Sequence, residues 1–190
     1  LDPKYENQPL WDGTLTTLKG KTILLRHEQG FGDILQFCRY AKDLAALGAS
    51  VILEVPPALE TVCRNLEGVH QIIARKKVTD DGQTTSTLSV SPIPRFDFHY
   101  PLASLPLAFK ADLSNIRGAP YLKASAIKRG RWRQLLRERL GEKHRPRIGI
   151  AWSGNPGHAN DVFRTISLSD FREGLVEGID YISLQKDVRA

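Results

Sequence analysis

Thr22-Ile23-Leu24-Leu25-Arg26-His27-Glu28-Gln29-Gly30-Phe31-Gly32-Asp33 decides the fold. Its first half is an apolar run of strand length. Its second half is a glycine-punctuated turn, and beyond it Ile34, Phe37, Cys38, Ala41, Leu44 and Ala45 recur at helical spacing, predicting a helix from about Asp33 to Gly48. A strand that turns through Gly30 and Gly32 into a helix is the opening of a parallel α/β unit, and it sets Asp33 at the strand's carboxyl end, where such proteins place ligands. Asp is also a favoured helix cap, so a purely structural Asp33 stands beside the functional one. A dinucleotide fingerprint needs a third glycine where Leu35 stands, and Glu54 runs directly into Val55-Pro56-Pro57. With no Gly-Lys-Ser/Thr segment either, NAD, FAD and P-loop binding are set aside.

Outward from this stretch the elements alternate. Ser50–Val55 reads as a strand, Ala58 to Leu66 as a short helix after Pro56-Pro57, and His70–Ala74 as a third strand. Residues 77–95 break the rhythm with turn formers and a Thr/Ser run, as a surface loop or insertion or a hairpin about Asp81-Gly82. Phe96–Tyr100 is the next strand, and a helix follows from about Leu105. Ile127–Leu140 reads as an amphipathic helix, with Trp132, Leu135, Leu136 and Leu140 on one face and arginines on the other. Gly141–Pro146 reads as a joint, after which Arg147–Trp152, a helix from Leu168 to about Glu177, and Tyr181–Leu184 begin a second α/β run. The expected organisation is a lead-in over 1–20, a Rossmann-like domain over 21–143 and a second, truncated one over 144–190. The first domain is a doubly wound parallel sheet with helices on both faces.

Composition bounds the function. The chain has 190 residues, 41% of them apolar, enough for a buried core. Cys38 and Cys63 fall on predicted helices without metal-ligand spacing and read as reduced core thiols. No Asp-x-Asp cluster occurs and the five histidines are scattered, so no metal site is expected. Of the net charge of +6, an excess of eight positive charges lies between Lys123 and Arg147, where ten Lys or Arg face two Glu. A basic face suits an anionic membrane surface or an anionic acceptor; Trp132 alone among these cations argues against single-stranded nucleic acid, and a solvated face is the ordinary alternative.

The segment Glu28–Tyr40 resembles glycosyltransferase family 9, the heptosyltransferase-like enzymes, and most closely its bacterial members linked to tetratricopeptide repeats. Pro9–Gly13, Tyr100–Leu107, Ala119–Leu122, Ile148–Pro156, Arg164–Leu168 and Ser183–Gln185 resemble that family in the same order. The resemblance implies the GT-B architecture, with an acceptor-side domain, whole here, and a nucleotide-sugar-binding domain that stops after one βαβ unit. It implies inverting, metal-independent transfer of a sugar from a nucleotide-sugar donor to a glycan or other hydroxyl, with no cofactor, in a cytoplasmic protein with peripheral contact at the inner membrane. Asp33 matches the family's catalytic aspartate, a general base for the acceptor hydroxyl. Glu28, Gln29, Gly30 and Gly32 are acceptor-site candidates. Ser153, Gly154, Asn155 and His158, in a loop beside a strand end, together with Arg164, are donor-phosphate candidates. The family's later donor motif has no counterpart before Ala190, so this chain alone is expected to be inactive. A non-catalytic scaffold attached to tetratricopeptide repeats is the alternative.

Overall fold

The computed structural model describes residue 5 and residues 8–28, 30–80, 83–89, 93–116, 118–142, 144–157 and 159–185, with backbone alone at 76–80 and 83–89. Two compact units divide between Ala124 and Ser125, so the helix after Ser125 belongs with the second unit, ahead of the Gly141–Pro146 joint expected from sequence.

The first unit is an α/β domain around one sheet. Its strands are β1 (Thr22–Arg26), β2 (Ser50–Val55), β3 (Val69–Asp80), β4 (Gln83–Ser89) and β5 (Phe98–Pro101), in the order β4-β3-β2-β1-β5. The four strands β3, β2, β1 and β5 are parallel, while β4 runs antiparallel along β3. The third strand therefore runs well past Ala74 into a hairpin whose tip, Asp81-Gly82, lies outside the described residues. The lead-in extends the other side: Trp11 donates to His99 O at 3.0 Å and His99 to Pro9 O at 3.1 Å, pairing it beside β5.

The apolar runs of β1 and β2 are continuous because both of their faces are covered. Ile23 and Leu25, Val51, Leu53 and Val55 join Tyr100 on one face, in a single cluster with the helices α1 (Phe31–Phe37), α2 (Ala41–Ala46) and α3 (Pro57–Cys63) and with Leu105 of α4 (Leu105–Ala108). Leu24, Ile52 and Ile73 point the other way, onto Tyr5, Ile93 and Phe96. The second face thus differs from the expected helix-covered one. The crossover from β3 to β5 is spent on the β4 hairpin and an irregular strap through Ile93 and Phe96, and no described helix lies within it.

The expected single helix from Asp33 to Gly48 is broken. A 3-10 turn over Cys38–Tyr40 separates α1 from α2. Gly68 has a positive φ of 88°, and a Cβ there would sit 2.5 Å from Lys42 Cα, so only glycine lets the start of β3 pass this close to α2. Cys38 and Cys63 are buried, unoxidised thiols in this core, Cys38 Sγ donating to Leu35 O at 3.3 Å; the neighbouring Cys63 and then burial push the Cys38 thiol up.

The second unit holds α5 (Ala126–Leu140), β6 (Arg147–Ile150), α6 (Leu168–Glu173) and β7 (Asp180–Ser183). β6 and β7 pair in parallel. The second α/β run expected from sequence is therefore present, with a shorter helix.

Candidate functional site at the carboxyl end of the first strand

The chain leaves β1 to form β2 on one side, while β5 joins β1 on the other. Their parallel carboxyl ends diverge at this topological switch point, the place where open α/β sheets bind ligands. A shallow notch too tight to hold a water molecule lies there, lined by His27, Glu28 and Asp33 with Ile34, Phe37 and Leu102. It is not a pocket of the roughly 300–1,000 Å³ usual for small-molecule sites, so a ligand there would rest on the surface beside Asp33. A wider depression lies at the opposite edge, by Glu67 ahead of β3, where Lys42 and Glu67 pair at 3.0 Å and Arg39 sits 4.7 Å over the Tyr121 ring. Those charges satisfy one another, whereas the notch brings two carboxylates and an imidazole to an open strand end.

Asp33 is the third residue of α1 rather than its cap. Gly30 caps the helix in extended conformation, and Asp33 Oδ2 reaches back to accept from Gly30 N at 3.0 Å. This is the returning half of a capping box, since glycine has no side chain for the other half. The structural reading of Asp33 is thus realised through one of its two oxygens. Neither Gly30 nor Gly32 has a left-handed φ, contrary to the expected sharp turn. Gly32 lies inside the helix with nothing within 4 Å of where a Cβ would be. Glu28 is exposed at the notch, and Gln29 lies outside the described residues.

Behind the notch is a polar cluster that the sequence did not reveal. Glu54 ends β2 buried, with Arg75 Nη1 donating to its Oε2 at 2.7 Å and Tyr5 Oη donating to the same oxygen. Its Oε1 lies 3.0 Å from His27 Nδ1, an ion-pair contact rather than an aligned hydrogen bond. The guanidinium groups of Arg75 and Arg26 lie 5.2 and 5.4 Å over the Tyr5 ring. Next to it, burial and the Arg26 charge hold buried His99 below its ordinary pKa. A signal was present, a lone acid in the apolar strand Ser50–Val55, but its partners come from other strands and from Tyr5.

In the second unit, Ser153, Gly154 and Asn155 follow β6. Gln185 Oε1 accepts from Trp152 N and Ser153 N, each at 3.1 Å, and its Nε2 donates to Ser153 O at 3.0 Å. The Ser153 amide expected to serve a diphosphate is thereby taken. Asn155 Oδ1 accepts from Gly157 N at 2.9 Å, closing a local turn. Ile166 N donates to Trp152 O at 3.0 Å, bringing the 164–166 segment back to the strand end. The Arg164 side chain is exposed, and His158 lies outside the described residues.

Helix α5 corrects another expectation. It buries none of its side chains, and Trp132 is 60% exposed. At about 100° per residue, Arg131 and Arg139 fall between Ile127, Leu135 and Trp132, so cations surround the helix and leave no apolar face to insert into a membrane. Among the described residues no helix is long and apolar enough to cross a membrane, and no group of three or more His, Cys, Asp or Glu is placed to hold a metal ion.

The first unit defines the class: an α/β protein with a four-stranded parallel sheet flanked by helices, with Asp33 at its switch point. Compared with protein-family models, characterised proteins and solved structures, the chain matches none of them.

Proposed function

We propose that this chain is part of an inverting glycosyltransferase of the GT-B type, its first unit serving the acceptor and its second the nucleotide sugar. The observation that carries the reading is the position of Asp33, at the β1/β5 switch point. The acceptor hydroxyl attacks the anomeric carbon, the bond to the diphosphate breaks with its electron pair leaving on the phosphate, and Asp33 takes the hydroxyl proton through Oδ1. Holding Oδ2 on Gly30 N orients the carboxylate for that transfer. Glu28 and the Gly30 backbone border the acceptor, and Arg164 with the 153–155 loop supplies charge and donors to the diphosphate.

Asp33→Asn tests this in a form of the protein that turns over nucleotide sugar. Asparagine keeps the size and much of the capping, so stability changes by at most about 1 kcal/mol. Turnover falls roughly a hundred- to ten-thousand-fold. Near-normal turnover returns Asp33 to the helix cap alone.

A specific observation favours the second reading, a non-catalytic binding or scaffold domain. Gln185 occupies the Trp152 and Ser153 amides, and Asp33 has a structural bond of its own. On that reading Asp33→Asn leaves ligand binding intact and there is no turnover to lose.

A further inference from the structure

The wider depression beside Glu67 continues into a second one. Tyr40, Asp43 and Asn115 line both, so the two form one cleft between α2 and the residues Phe109, Asn115 and Tyr121. Their volumes of about 110 and 290 Å³ together reach the roughly 300–1,000 Å³ usual for small-molecule sites. Rings line it. Tyr40 stacks on Phe109 with centroids 5.3 Å apart, and Tyr121 lies under the Arg39 guanidinium with its Oη donating to Leu35 O at 2.6 Å. The wall facing α2 is fixed as well. Lys110 takes a left-handed φ of 48°, uncommon outside glycine, and Asn115 ties that turn down, its Nδ2 donating to Lys110 O at 3.0 Å and its Oδ1 accepting from Asp112 N at 2.9 Å.

Tyr40 carries the chemistry of the cleft. It is only 8% exposed, yet no described residue bonds its hydroxyl and that oxygen is not sealed from solvent. Burial holds the phenol above its ordinary pKa, so it keeps its proton and can donate it in a hydrogen bond. The charges around it cancel. Lys42 pairs with Glu67 at 3.0 Å, and Arg39, opposite in sign to Asp43, donates from Nε to Gln36 O at 2.8 Å and from Nη2 to Tyr121 Oη at 3.3 Å. An ion entering such a cleft gives up its hydration and meets no net counter-charge. We propose that this cleft binds a neutral aromatic ring bearing a hydrogen-bond acceptor, the ring covering the apolar wall beside Tyr40 and the acceptor taking the Tyr40 hydroxyl. The site goes beyond the glycosyltransferase reading and does not depend on it, since none of its residues lines the notch at Asp33.

The test is a ¹H–¹⁵N correlation NMR titration of the 190-residue chain with benzamide, benzoate and benzylamine, which share a ring and differ in charge. Benzamide is expected to move the amides of Tyr40, Asp43, Leu47, Phe109 and Asn115, and the two ions to bind at least about tenfold more weakly. Tyr40→Phe keeps the ring against Phe109 and weakens benzamide by about five- to tenfold, the loss of one hydrogen bond. Ala46→Trp, at an exposed position of α2 that lines the cleft, fills the space and abolishes binding. Benzamide that leaves those amides unmoved overturns the proposal, as does benzoate or benzylamine binding as tightly, and both results are read on the unaltered chain. N-acetylphenylalaninamide separates the two sources of such a ring: tighter binding than benzamide identifies a side chain of a partner polypeptide, and weaker binding a free small molecule.

Discussion

Two strand ends of the same kind are used differently in this molecule. After β1 the chain passes His27, Glu28 and Asp33 beside a shallow notch, backed by a buried cluster on Glu54. After β6 it passes Trp152 and Ser153 into the grip of Gln185, which spends their amides on the fold. Their surroundings differ as much. Every buried apolar side chain among the described residues lies in the first unit except Trp152, while Ile148, Phe163, Val176 and Leu184 of the second are exposed. A polar group held within a sealed core can be fixed precisely by few bonds, and its loss is costly. The same group on an exposed scaffold contributes little.

The largest effect follows directly. Glu54→Ala leaves Arg75 buried without its carboxylate, and breaking such a pair from one side costs about 3–5 kcal/mol. Gln185→Ala costs less, about 1 kcal/mol, since the bonds it removes are between neutral groups in a part-buried setting. Chemical denaturation of both variants measures the contrast, and equal losses would remove the distinction between the two strand ends.

The next effect is smaller and depends on pH. Burial, with the Arg26 charge second, lowers the His99 pKa from 6.5, so the native state resists a proton that the unfolded chain accepts. The stability this gives is complete above about pH 6.5 and is lost as pH falls from there towards the folded pKa. Denaturation midpoints across pH 5–8 should show that slope, and His99→Phe should flatten it. An unchanged slope in the variant assigns the dependence to other groups.

The contrast also explains what could be read from sequence. β1 and β2 were legible because strands covered on both faces read as uninterrupted apolar runs, and the switch-point position of Asp33 followed from them. The break at Cys38 was not legible, because apolar spacing continues through it from Ile34 to Leu44. Pairing decides the hairpin: Lys77–Asp80 carries turn-forming and polar residues, yet β4 supplies it with a partner strand. Glu54 stood out only as an acid unsuited to a dinucleotide. Its role depends on His27 and Arg75, each from a different strand or strand end, and such a juxtaposition exists only once the sheet's register is set. The error at α5 came from reading Trp132, Leu135, Leu136 and Leu140 as one stripe without plotting Lys128, Arg129 and Arg139 among them.

Gly32 gives the most direct test of whether the end of β1 is built for a ligand or for folding. It sits inside α1 with space for a Cβ and no left-handed φ, so folding alone would favour alanine there by up to about 1 kcal/mol. We predict that, in a form of the protein that turns over nucleotide sugar, Gly32→Ala raises the thermal midpoint and lowers consumption of the donor at least about tenfold, because on the proposed reading the acceptor approaches Asp33 over this glycine. A variant that is more stable and equally active would contradict the account and leave Gly30-Phe31-Gly32-Asp33 as a helix start and nothing more.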